Sequence, residues 1–387
     1  MRLPVYLDNN STTPVDERVL HSMLPFFTHN FGNAASKTHA YGWIAEEAVE
    51  HAREQVAKLI NAHPKEIVFT SGATESINLA LKGVYESYGS KGNHIITCAT
   101  EHKAVLDTCK HLEKSGADVT YLPVKSDGRI DVNVLEKSIK PTTILIAMMY
   151  ANNETGVIQP VKDIAAIARQ HGVIFFCDAA QAVGKISVDV MKDDIALLSL
   201  SAHKIYGPKG VGALYVRRKD PRVKLTAQMD GGGHENNLRS GTLNVPAIVG
   251  LGKACEICSN EMNDEAERLN VLRNKFETAL LELNDVYVNG SREFRLPHVT
   301  NLSFKGTTAN RLIMSMNKTA ATSSGSACTS ALVEPSYVLK ALGLTDELAN
   351  TSLRFGLGRF TTEEEIDFAV MEIKSSVQKL RAESNVF

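Results

Sequence analysis

The chain of 387 residues is longer than one average domain and leaves room for a large domain with a smaller partner. Hydrophobic residues make up 43% and charged residues 22%, as in ordinary soluble globular proteins, and a net charge of −2 gives no overall field that would attract nucleic acid or an acidic membrane. No apolar run approaches the roughly 20 residues that span a bilayer, and the N-terminus has neither a signal-peptide core nor a transit segment, so we expect a cytosolic protein.

Short β-rich runs alternate with helical patterns between positions 66 and 216. The predicted strands are Ile67–Thr70, His94–Cys98, Val119–Leu122, Thr143–Met148, Val173–Cys177, Leu197–Leu200 and Val211–Val216. Several are continuous apolar runs, which is typical of strands covered on both faces. The alternation predicts an α/β fold with a mainly parallel, seven-stranded sheet, whose ligands gather beyond the carboxyl ends of the strands.

A long helical stretch follows from Val245, and we interpret it as the link to a second domain. The last helix is predicted to begin with a capping box formed by Thr361 and Glu364. We therefore expect a large domain over residues 15–260 and a smaller α+β domain over 1–14 and 261–387. The smaller domain would carry a cysteine-containing loop at about 319–334.

Three polar stretches follow predicted strands in the first half of this alternation. Thr70–Ser76 joins a strand to a helix, where a glycine and the free N–H groups of a first helical turn could cradle a phosphate, although many such turns are simple caps. His102 could stack on a pyridine ring, although a lone histidine is more often a loop or core residue. Asn153 could hydrogen-bond a ring oxygen.

Two further strand ends carry residues suited to pyridoxal phosphate (PLP). Asp178 could keep a pyridine nitrogen protonated, or simply cap the next helix, and Gln181 could reach a ring hydroxyl. Lys204 follows the next strand beside His203; a lone lysine there is usually solvated, but lysine is also the residue that forms a Schiff base with an aldehyde cofactor. Five polar clusters at successive strand ends would converge on one crevice, which chance packing does not readily produce.

Six cysteines are spread along the chain: Cys98, Cys109, Cys177, Cys255, Cys258 and Cys328. In a reducing compartment, free buried thiols are expected rather than a disulfide framework. Cys255 and Cys258 form a CxxC within a helical pattern, but no second pair is near, so zinc is not expected and a redox role is a minor alternative. Cys328 differs because its neighbours are small residues with little capacity for apolar packing.

Together these residues resemble a fold-type I PLP enzyme of the class V aminotransferase group, and more closely the IscS/NifS cysteine desulfurases. The resemblance runs from Tyr6–Pro14 to Arg354–Phe360 and covers almost the whole chain. Its most specific segments are Ser201–Lys204, Arg239–Thr242 and Ser324–Ser330. It implies an enzyme that takes sulfur from L-cysteine, leaves L-alanine and carries the sulfur as a persulfide on Cys328.

The resemblance also implies a role for each polar residue. Lys204 would hold PLP, Asp178 would pair with its pyridine nitrogen, and His102 would stack on the ring and take part in catalysis. The other implied cofactor contacts are Asn153 and Gln181 at the ring oxygen, Ala73, Thr74, Ser201 and His203 at the phosphate, and Thr242 at the phosphate of the other subunit, which requires a homodimer. The implied substrate contacts are Arg354, which would grip the carboxylate, with Asn153 and Asn10.

In the implied mechanism, Lys204 or His102 removes the α-proton, and the thiolate of Cys328 attacks the substrate sulfur. The small-residue segment would let Cys328 carry the persulfide to a partner. The implied partners are an iron–sulfur scaffold protein, a sulfur-relay protein for tRNA thiolation, and frataxin-like or ferredoxin regulators. Cys328 would serve at most as a transient iron–sulfur ligand, and no direct contact with nucleic acid or a membrane is expected.

The sequence departs from the family pattern at two places. It ends at Phe387, whereas members from iron–sulfur assembly systems often have a longer tail that helps to dock the scaffold, and Asn236-Asn237 stands where many relatives have Arg-Gly. A basic run resembles the patch where acidic partners dock, although it could be only a solvated charged face. This run consists of Arg217, Arg218, Lys219, Arg222 and Lys224.

Two alternatives stay open. The first is another class V PLP enzyme, such as a selenocysteine lyase or a desulfurase of the sulfur-mobilisation type, but those tend to have a shorter loop around the cysteine than residues 319–334 provide. The second is a protein whose main role is binding, a sulfur-relay platform. The intact set of Lys204, Asp178 and Cys328 argues against a catalytically inactive platform.

Overall fold

The structure is a computed structural model that describes residues 2–324 and 335–384. Its strands are β1 (Val5–Tyr6), β2 (Ile67–Thr70), β3 (His94–Cys98), β4 (Asp118–Leu122), β5 (Thr143–Met149), β6 (Ile174–Asp178), β7 (Leu197–Ser201), β8 (Gly212–Val216), β9 (Val286–Val288), β10 (Val299–Phe304), β11 (Ala320–Ala321) and β12 (Ser352–Gly356). Its α-helices are α1 (Glu17–Met23), α2 (Pro25–Thr28), α3 (Ala40–Leu59), α4 (Ala73–Tyr88), α5 (Lys103–Lys114), α6 (Val132–Lys137), α7 (Val161–Gln170), α8 (Val245–Leu281), α9 (Ala309–Met316), α10 (Tyr337–Ala341), α11 (Asp346–Asn350) and α12 (Glu363–Ser384).

Seven strands form one sheet in the order β2-β8-β7-β6-β5-β3-β4. Neighbouring strands are parallel except for β8, which runs antiparallel to both β2 and β7. The predicted α/β fold with a mainly parallel sheet is confirmed, and each predicted strand matches a member of this sheet to within one residue at either end. The carboxyl ends of β2, β3, β5, β6 and β7 consequently meet at one edge, where the polar stretches follow them.

Both faces of this sheet are covered, as the continuous apolar strands indicate. Ile96 and Ile146 enter a core that α3 and α7 help to form. Their neighbours Ile95 and Leu145 enter a separate core on the other face, against α4 and α5. Because each fully buried aliphatic side chain contributes about 1.5–3 kcal/mol, successive residues of one strand both stabilise the sheet, and little alternation with polar residues is left.

A third core lies around a smaller antiparallel sheet of order β12-β10-β9. The helix α8 connects it to the main sheet: Ile248 and Leu251 belong to the first core, whereas Leu269 and Phe276 belong to the third, together with Ile373 of α12. This arrangement agrees with the expected linking helix. The exact domain limits at 15–260, 1–14 and 261–387 stay a prediction.

The predicted capping box of the last helix is wrong by one residue. The box is formed by Thr362 and Glu365, whose side chains accept each other's backbone N–H at 3.2 and 3.0 Å. The hydroxyl of Thr361 instead accepts the N–H of Gly358 at 2.9 Å, so it closes the preceding turn.

Asn236 and Asn237, the second departure from the family pattern, have positive φ angles of 57° and 63°. Asparagine tolerates this left-handed backbone better than most residues other than glycine, so the two residues suit the turn that they form here.

Candidate active site

A cavity of about 800 Å³ opens at the carboxyl edge of the large sheet. The predicted site residues among its lining are Asn10, Ala73, Thr74, His102, Asn153, Asp178, Gln181, Ser201, His203, Lys204 and Arg354. The structure therefore brings together eleven residues that the sequence presented in seven separate segments. Such convergence beyond parallel strand ends is the usual place for a ligand in this class of fold.

Lys204 lies in a short helical turn directly after β7. Its Nζ donates hydrogen bonds to the backbone oxygens of Asn10 at 2.5 Å and Ser11 at 2.7 Å. Burial lowers the pKa of Lys204 to about 8, and the nearby Arg354 guanidinium adds to this effect. A useful fraction of this amine is therefore uncharged near neutral pH, which is the form that attacks an aldehyde.

Asp178 is the last residue of β6 and is only 7% exposed. One of its oxygens, Oδ1, accepts hydrogen bonds from the hydroxyl of Ser199 at 2.9 Å and from the N–H of Ala180 at 3.1 Å. Ser199 lies on the neighbouring strand β7, so the carboxylate is held from two elements. The bond from Ala180 is a local contact of the kind expected if Asp178 only capped the next segment. Asp178 nevertheless also lines the cavity.

Arg354 enters the cavity from β12 of the smaller sheet. Its Nη1 donates to the backbone oxygen of Asn153 at 3.0 Å, and its Nη2 donates to Oδ1 of Asp8 at 2.7 Å and to the hydroxyl of Ser11 at 2.6 Å. The Nε of Arg354 is buried and has no hydrogen-bond partner within residues 2–324 and 335–384. This donor is left for a ligand, and a guanidinium is well suited to bind a carboxylate.

Gln181 and Asn153 also line the cavity. The side-chain amide of Gln181 donates to the backbone oxygen of Asn10 at 3.0 Å. The Oδ1 of Asn153 is buried without a hydrogen-bond partner in the described part of the chain. A buried polar atom left unpaired costs about 1–3 kcal/mol, so the side chain of Asn153 is a second place where a ligand would restore a lost hydrogen bond.

The turn between β2 and α4 has the geometry of an anion site. Gly72 caps α4 with φ 150° and ψ 179°, and a Cβ at this position would meet only Ser201 Oγ, at 3.7 Å. The N–H groups of Ala73 and Thr74 belong to the first turn of α4, whose donors have no acceptor within the helix. Because the positive end of the helix dipole is also here, this turn favours a phosphate.

His203 is uncharged at neutral pH in this arrangement. Burial lowers its pKa to about 4, and the charges of Lys204 and Lys209 act in the same direction. Its Nδ1 lies 3.1 Å from the hydroxyl of Thr12. A neutral imidazole can still donate one hydrogen bond to a phosphate, so the implied contact requires no charge on His203.

His102 is exposed at the rim of the cavity and caps α5. Its Nδ1 accepts the N–H of Ala104 at 3.1 Å, which fixes the ring and leaves the proton of the neutral form on Nε2. In this tautomer His102 is a hydrogen-bond donor toward the cavity. Its ring position relative to a cofactor stays a prediction.

For two predicted site residues the structure shows no place in the cavity. Thr242 is exposed and is not among the lining residues of the cavity. Its role at the phosphate of another subunit stays a prediction. Cys328 lies outside the described residues, so its proposed roles as sulfur acceptor and transient iron–sulfur ligand also stay predictions.

The other five cysteines are free and buried. Desolvation raises the pKa of each of these thiols, including that of Cys98 and Cys109 to about 12. Such thiols are poor nucleophiles. No three His, Cys, Asp or Glu side chains are grouped to hold a metal ion within the described ranges, and no helix there has the length and apolar character to cross a bilayer.

The predicted basic run requires one correction. Arg217 directly follows β8 and is only 5% exposed. Its guanidinium forms an ion pair with the carboxylate of Asp194 at 2.6 Å. It is therefore not part of a docking surface. The other members are exposed: Arg218, Lys219, Arg222 and Lys224.

Sequence reasoning missed several residues that hold the site. Asp8 and Ser11 fix Arg354, and Ser199 fixes Asp178. Asp8 and Ser11 flank Asn10 in the first motif, so a signal for them was present. Ser199 gave a weaker signal, since it is a polar residue within an otherwise apolar strand.

The residues of the cavity fit PLP. They include a lysine with a lowered pKa, a buried carboxylate, a helix N-terminus with an unhindered glycine, and two buried polar atoms, on Asn153 and Arg354, without partners in the described chain. PLP presents an aldehyde, a pyridine nitrogen, a phosphate and a ring oxygen, and each has a matching group here.

Comparisons with known proteins agree with this chemistry. The family model described as aminotransferase class-V matches residues 5–368. A protein named cysteine desulfurase IscS, from Anaeromyxobacter dehalogenans, is 56% identical over 100% of this chain and 96% of its own length. The solved structure of a NifS-like protein has a TM-score of 0.90 and 38% identity, covering 97% of this chain and 100% of that one. A structure described as SspA in complex with cysteine has a TM-score of 0.81 and 38% identity, covering 92% and 99%.

Proposed function

The chain belongs to the class-V aminotransferase family, and on that premise we propose that it is a PLP-dependent cysteine desulfurase. It converts L-cysteine to L-alanine and holds the sulfur as a persulfide on Cys328. The observation that carries this proposal is the single cavity that unites Lys204, Asp178 and Arg354. Identity of 56% over the full chain with a protein named cysteine desulfurase supports the choice of cysteine as the substrate.

The cofactor would be held by residues from several strand ends. Lys204 would bind its aldehyde carbon, Asp178 its pyridine nitrogen, and the first turn of α4 its phosphate. When bound, PLP supplies an aldehyde that condenses with the amino group of cysteine and a ring that withdraws electrons from the α-carbon. Asp178 keeps the proton on the pyridine nitrogen, because the buried carboxylate stabilises that positive charge.

Arg354 binds and orients the substrate. Its Nε, which has no partner among the residues that the structure describes, and its Nη groups offer donors to the carboxylate of L-cysteine, while Asp8 and Ser11 fix the guanidinium plane. A carboxylate held in this way directs the rest of the amino acid toward Lys204. The orientation brings the α-hydrogen within reach of a base without a further ordering step.

Lys204 is the better candidate for the base that removes the α-proton. Its pKa of about 8 makes the neutral amine accessible near pH 7 to 8. His102 uses Nδ1 to accept the N–H of Ala104, so the nitrogen available toward the cavity carries a proton. This tautomer suits His102 for donating a hydrogen bond, whereas the neutral amine of Lys204 can accept the α-proton.

The thiolate of Cys328 then accepts the sulfur. It attacks the sulfur of cysteine, a new S–S bond forms as the Cβ–S bond breaks, and the electron pair of that bond stays with the carbon that becomes the methyl group of alanine. Protons taken up at carbon complete L-alanine, and no outside oxidant or reductant is consumed. The raised pKa values of the other five thiols make them unsuited to this attack.

The persulfide would be delivered to acceptor proteins. We propose an iron–sulfur scaffold, a relay protein for tRNA thiolation, and frataxin-like or ferredoxin regulators as partners of a cytoplasmic homodimer. The four exposed basic residues after β8 support an acidic partner: Arg218, Lys219, Arg222 and Lys224. Exposed large apolar side chains between positions 24 and 43 support a subunit interface: Leu24, Phe27, Phe31, Tyr41 and Trp43.

The test is a measurement of alanine and sulfide from L-cysteine, with and without a thiol reductant. Alanine should form in amounts near one per site without reductant and should turn over with it, because the persulfide must be discharged. The same assay with L-selenocysteine, on the original chain and on Cys328→Ser, distinguishes a desulfurase from a selenocysteine lyase. A selenocysteine lyase would still form alanine from L-selenocysteine in the Cys328→Ser variant. A chain that binds PLP but makes no alanine from cysteine is not a desulfurase.

A further inference from the structure

Glu75 and Arg239 form an ion pair at the phosphate end of the cavity. The Nε of Arg239 donates to Oε1 of Glu75 at 2.7 Å, and Nη2 donates to Oε2 at 3.3 Å. The same carboxylate accepts the N–H of Ser71 at 2.7 Å. Glu75 lines the cavity, whereas Arg239 is not among the lining residues of the described chain. The carboxylate is therefore the member of the pair that an occupant of the cavity meets.

A carboxylate at this position would oppose the binding of phosphate. Glu75 is in the first turn of α4, where the N–H groups of Ala73 and Thr74 are left for an anion. A phosphate monoester carries close to two negative charges at neutral pH, and like charges in one turn repel each other. Unless a cation offsets Glu75, the helix terminus would lose part of its attraction for the phosphate.

Few other cations at this end could provide that offset. His203 is uncharged at neutral pH, since burial lowers its pKa to about 4. Lys209 also lines the cavity, but it is exposed, and water and salt screen its charge. Arg239 is better shielded from solvent, with 19% of its side chain exposed, and it contacts the carboxylate directly.

We propose that Arg239 is a positioning residue for the cofactor phosphate, which neutralises Glu75 so that the first turn of α4 accepts a phosphate dianion. Glu75 in turn holds the backbone at Ser71 and ties the segment 239–242 to the cavity. That segment carries Thr242, so the ion pair connects the helix turn of this cavity with the residue predicted to contact the phosphate of the other subunit. The inference rests on the proposed PLP chemistry, and it concerns the phosphate rather than the aldehyde.

The experiment is a titration of the full-length chain, stripped of cofactor, with PLP and in parallel with pyridoxal, which lacks the phosphate. In Arg239→Gln the Kd for PLP should rise about tenfold, the usual effect of one uncompensated charge contact, while the Kd for pyridoxal changes less than about twofold. Glu75→Gln should not weaken PLP binding. The double variant should recover most of the lost affinity, because no carboxylate is then left to neutralise.

Arg239→Lys is the matched control, because it loses the two-donor guanidinium but keeps the positive charge that offsets Glu75, and it should bind PLP within about threefold of the original chain. The proposal is overturned if Arg239→Gln weakens PLP and pyridoxal equally, if the double variant is no better than Arg239→Gln, or if Arg239→Lys is as weak. Thermal melting shows whether each variant folds. If Arg239→Gln does not fold, Glu75→Gln alone tests the proposal, and a tenfold loss of PLP affinity in Glu75→Gln overturns it. Failure of the proposed function itself is distinct: the original chain would bind no PLP.

Discussion

Lys204 connects the cofactor to the strand end that presents it, and its ionisation can be measured. Because burial lowers its pKa to about 8, the proton is lost as the pH rises through 8, and only the neutral amine attacks an aldehyde. The rate at which a visible absorption band appears, on mixing the stripped chain with PLP, should rise with pH and level off above about 8. Stopped-flow absorbance would record it. Lys204→Ala should give no such band and no turnover, and a band in that variant would refute the assignment.

Arg354 offers a second test at the scale of one residue. Arg354→Lys keeps the positive charge but loses the planar guanidinium that can bind a carboxylate through two donors. The KM for L-cysteine should rise about tenfold or more, equivalent to ~1.4 kcal/mol, with the PLP band unchanged. Steady-state alanine formation would measure it. An unchanged KM would mean that the substrate carboxylate is bound elsewhere.

Cys328 should be the cysteine whose loss stops sulfur transfer while PLP chemistry continues. Binding of L-cysteine and removal of its α-proton depend on Lys204, Asp178 and Arg354, and none of these steps needs a thiol. Cys328→Ser should therefore still change its absorption spectrum on addition of L-cysteine, yet make little alanine. Mass spectrometry of the original chain should find one added sulfur, about 32 Da, on Cys328.

The matched control for this prediction is Cys109→Ser, since Cys109 is buried in α5 and its thiol pKa is raised to about 12. This variant should load persulfide normally and differ at most in stability. Persulfide on Cys109, or normal turnover by Cys328→Ser, would contradict the mechanism.

The residues that the strand pattern alone identified share one property, which is that they lie at the end of an apolar strand or shortly after it. Asp178 and Lys204 stand out for this reason. Asp8 and Ser199 act through another residue, and their partners Arg354 and Asp178 are 346 and 21 positions away in the chain. No local pattern relates such pairs, so residues that hold a site are harder to find from sequence than residues that form it.

At the scale of elements, strands were easier to predict than the ends of helices. A buried strand is delimited by the limits of its apolar run, as at Ile67–Thr70. The start of α12 offered two equivalent choices, because Thr361 with Glu364 and Thr362 with Glu365 have the same spacing. The hydrogen bond from the N–H of Gly358 to the hydroxyl of Thr361, which closes the preceding turn, decides between them.

The loop after β8 provides a prediction at this scale. Arg218→Glu with Arg222→Glu should weaken binding of an acidic iron–sulfur assembly partner and should leave basal alanine formation unchanged, because both side chains are exposed and neither lines the cavity. The affinity of the original chain should fall as salt increases, since exposed charges are screened over about 8–10 Å at ordinary ionic strength.

Charge reversal at Lys110 and Lys114, exposed on α5, is the matched control and should not alter partner binding. Calorimetry at two salt concentrations would compare the variants. Equal binding by both double variants would show that the loop after β8 is only a solvated face.

At the scale of the whole molecule, the site is assembled from parts that belong to different cores. Asp178 ends β6 and Lys204 follows β7 in the large sheet, whereas Arg354 lies on β12 of the small sheet and Asp8 belongs to the N-terminal segment beside it. The sequence predicts each part, but the distance between them depends on how α8 joins the two sheets. That arrangement depends on packing between residues far apart in the chain, which periodicity does not record.

The homodimer is the prediction that concerns the molecule as a whole, and mixing two inactive variants tests it. If Thr242 completes the phosphate site of the other subunit, Thr242→Glu should abolish PLP binding in both sites of its homodimer, because a carboxylate would repel the phosphate. Lys204→Ala is inactive for a different reason. In a mixed dimer, the subunit with Thr242→Glu keeps its own Lys204 and receives an intact Thr242 from the Lys204→Ala subunit, so one complete site is restored.

Unfolding and refolding the two variants together should give a mixture in which half of the dimers are mixed, each with one of its two sites intact, so about a quarter of the sites should be active. Alanine formation and the PLP band should both recover to about that fraction, whereas each variant refolded alone should show neither. Light scattering of the original chain should give the mass of two subunits. If each chain instead completes its own site, the mixture will stay as inactive as its components, because every Lys204 then shares a chain with the altered residue 242.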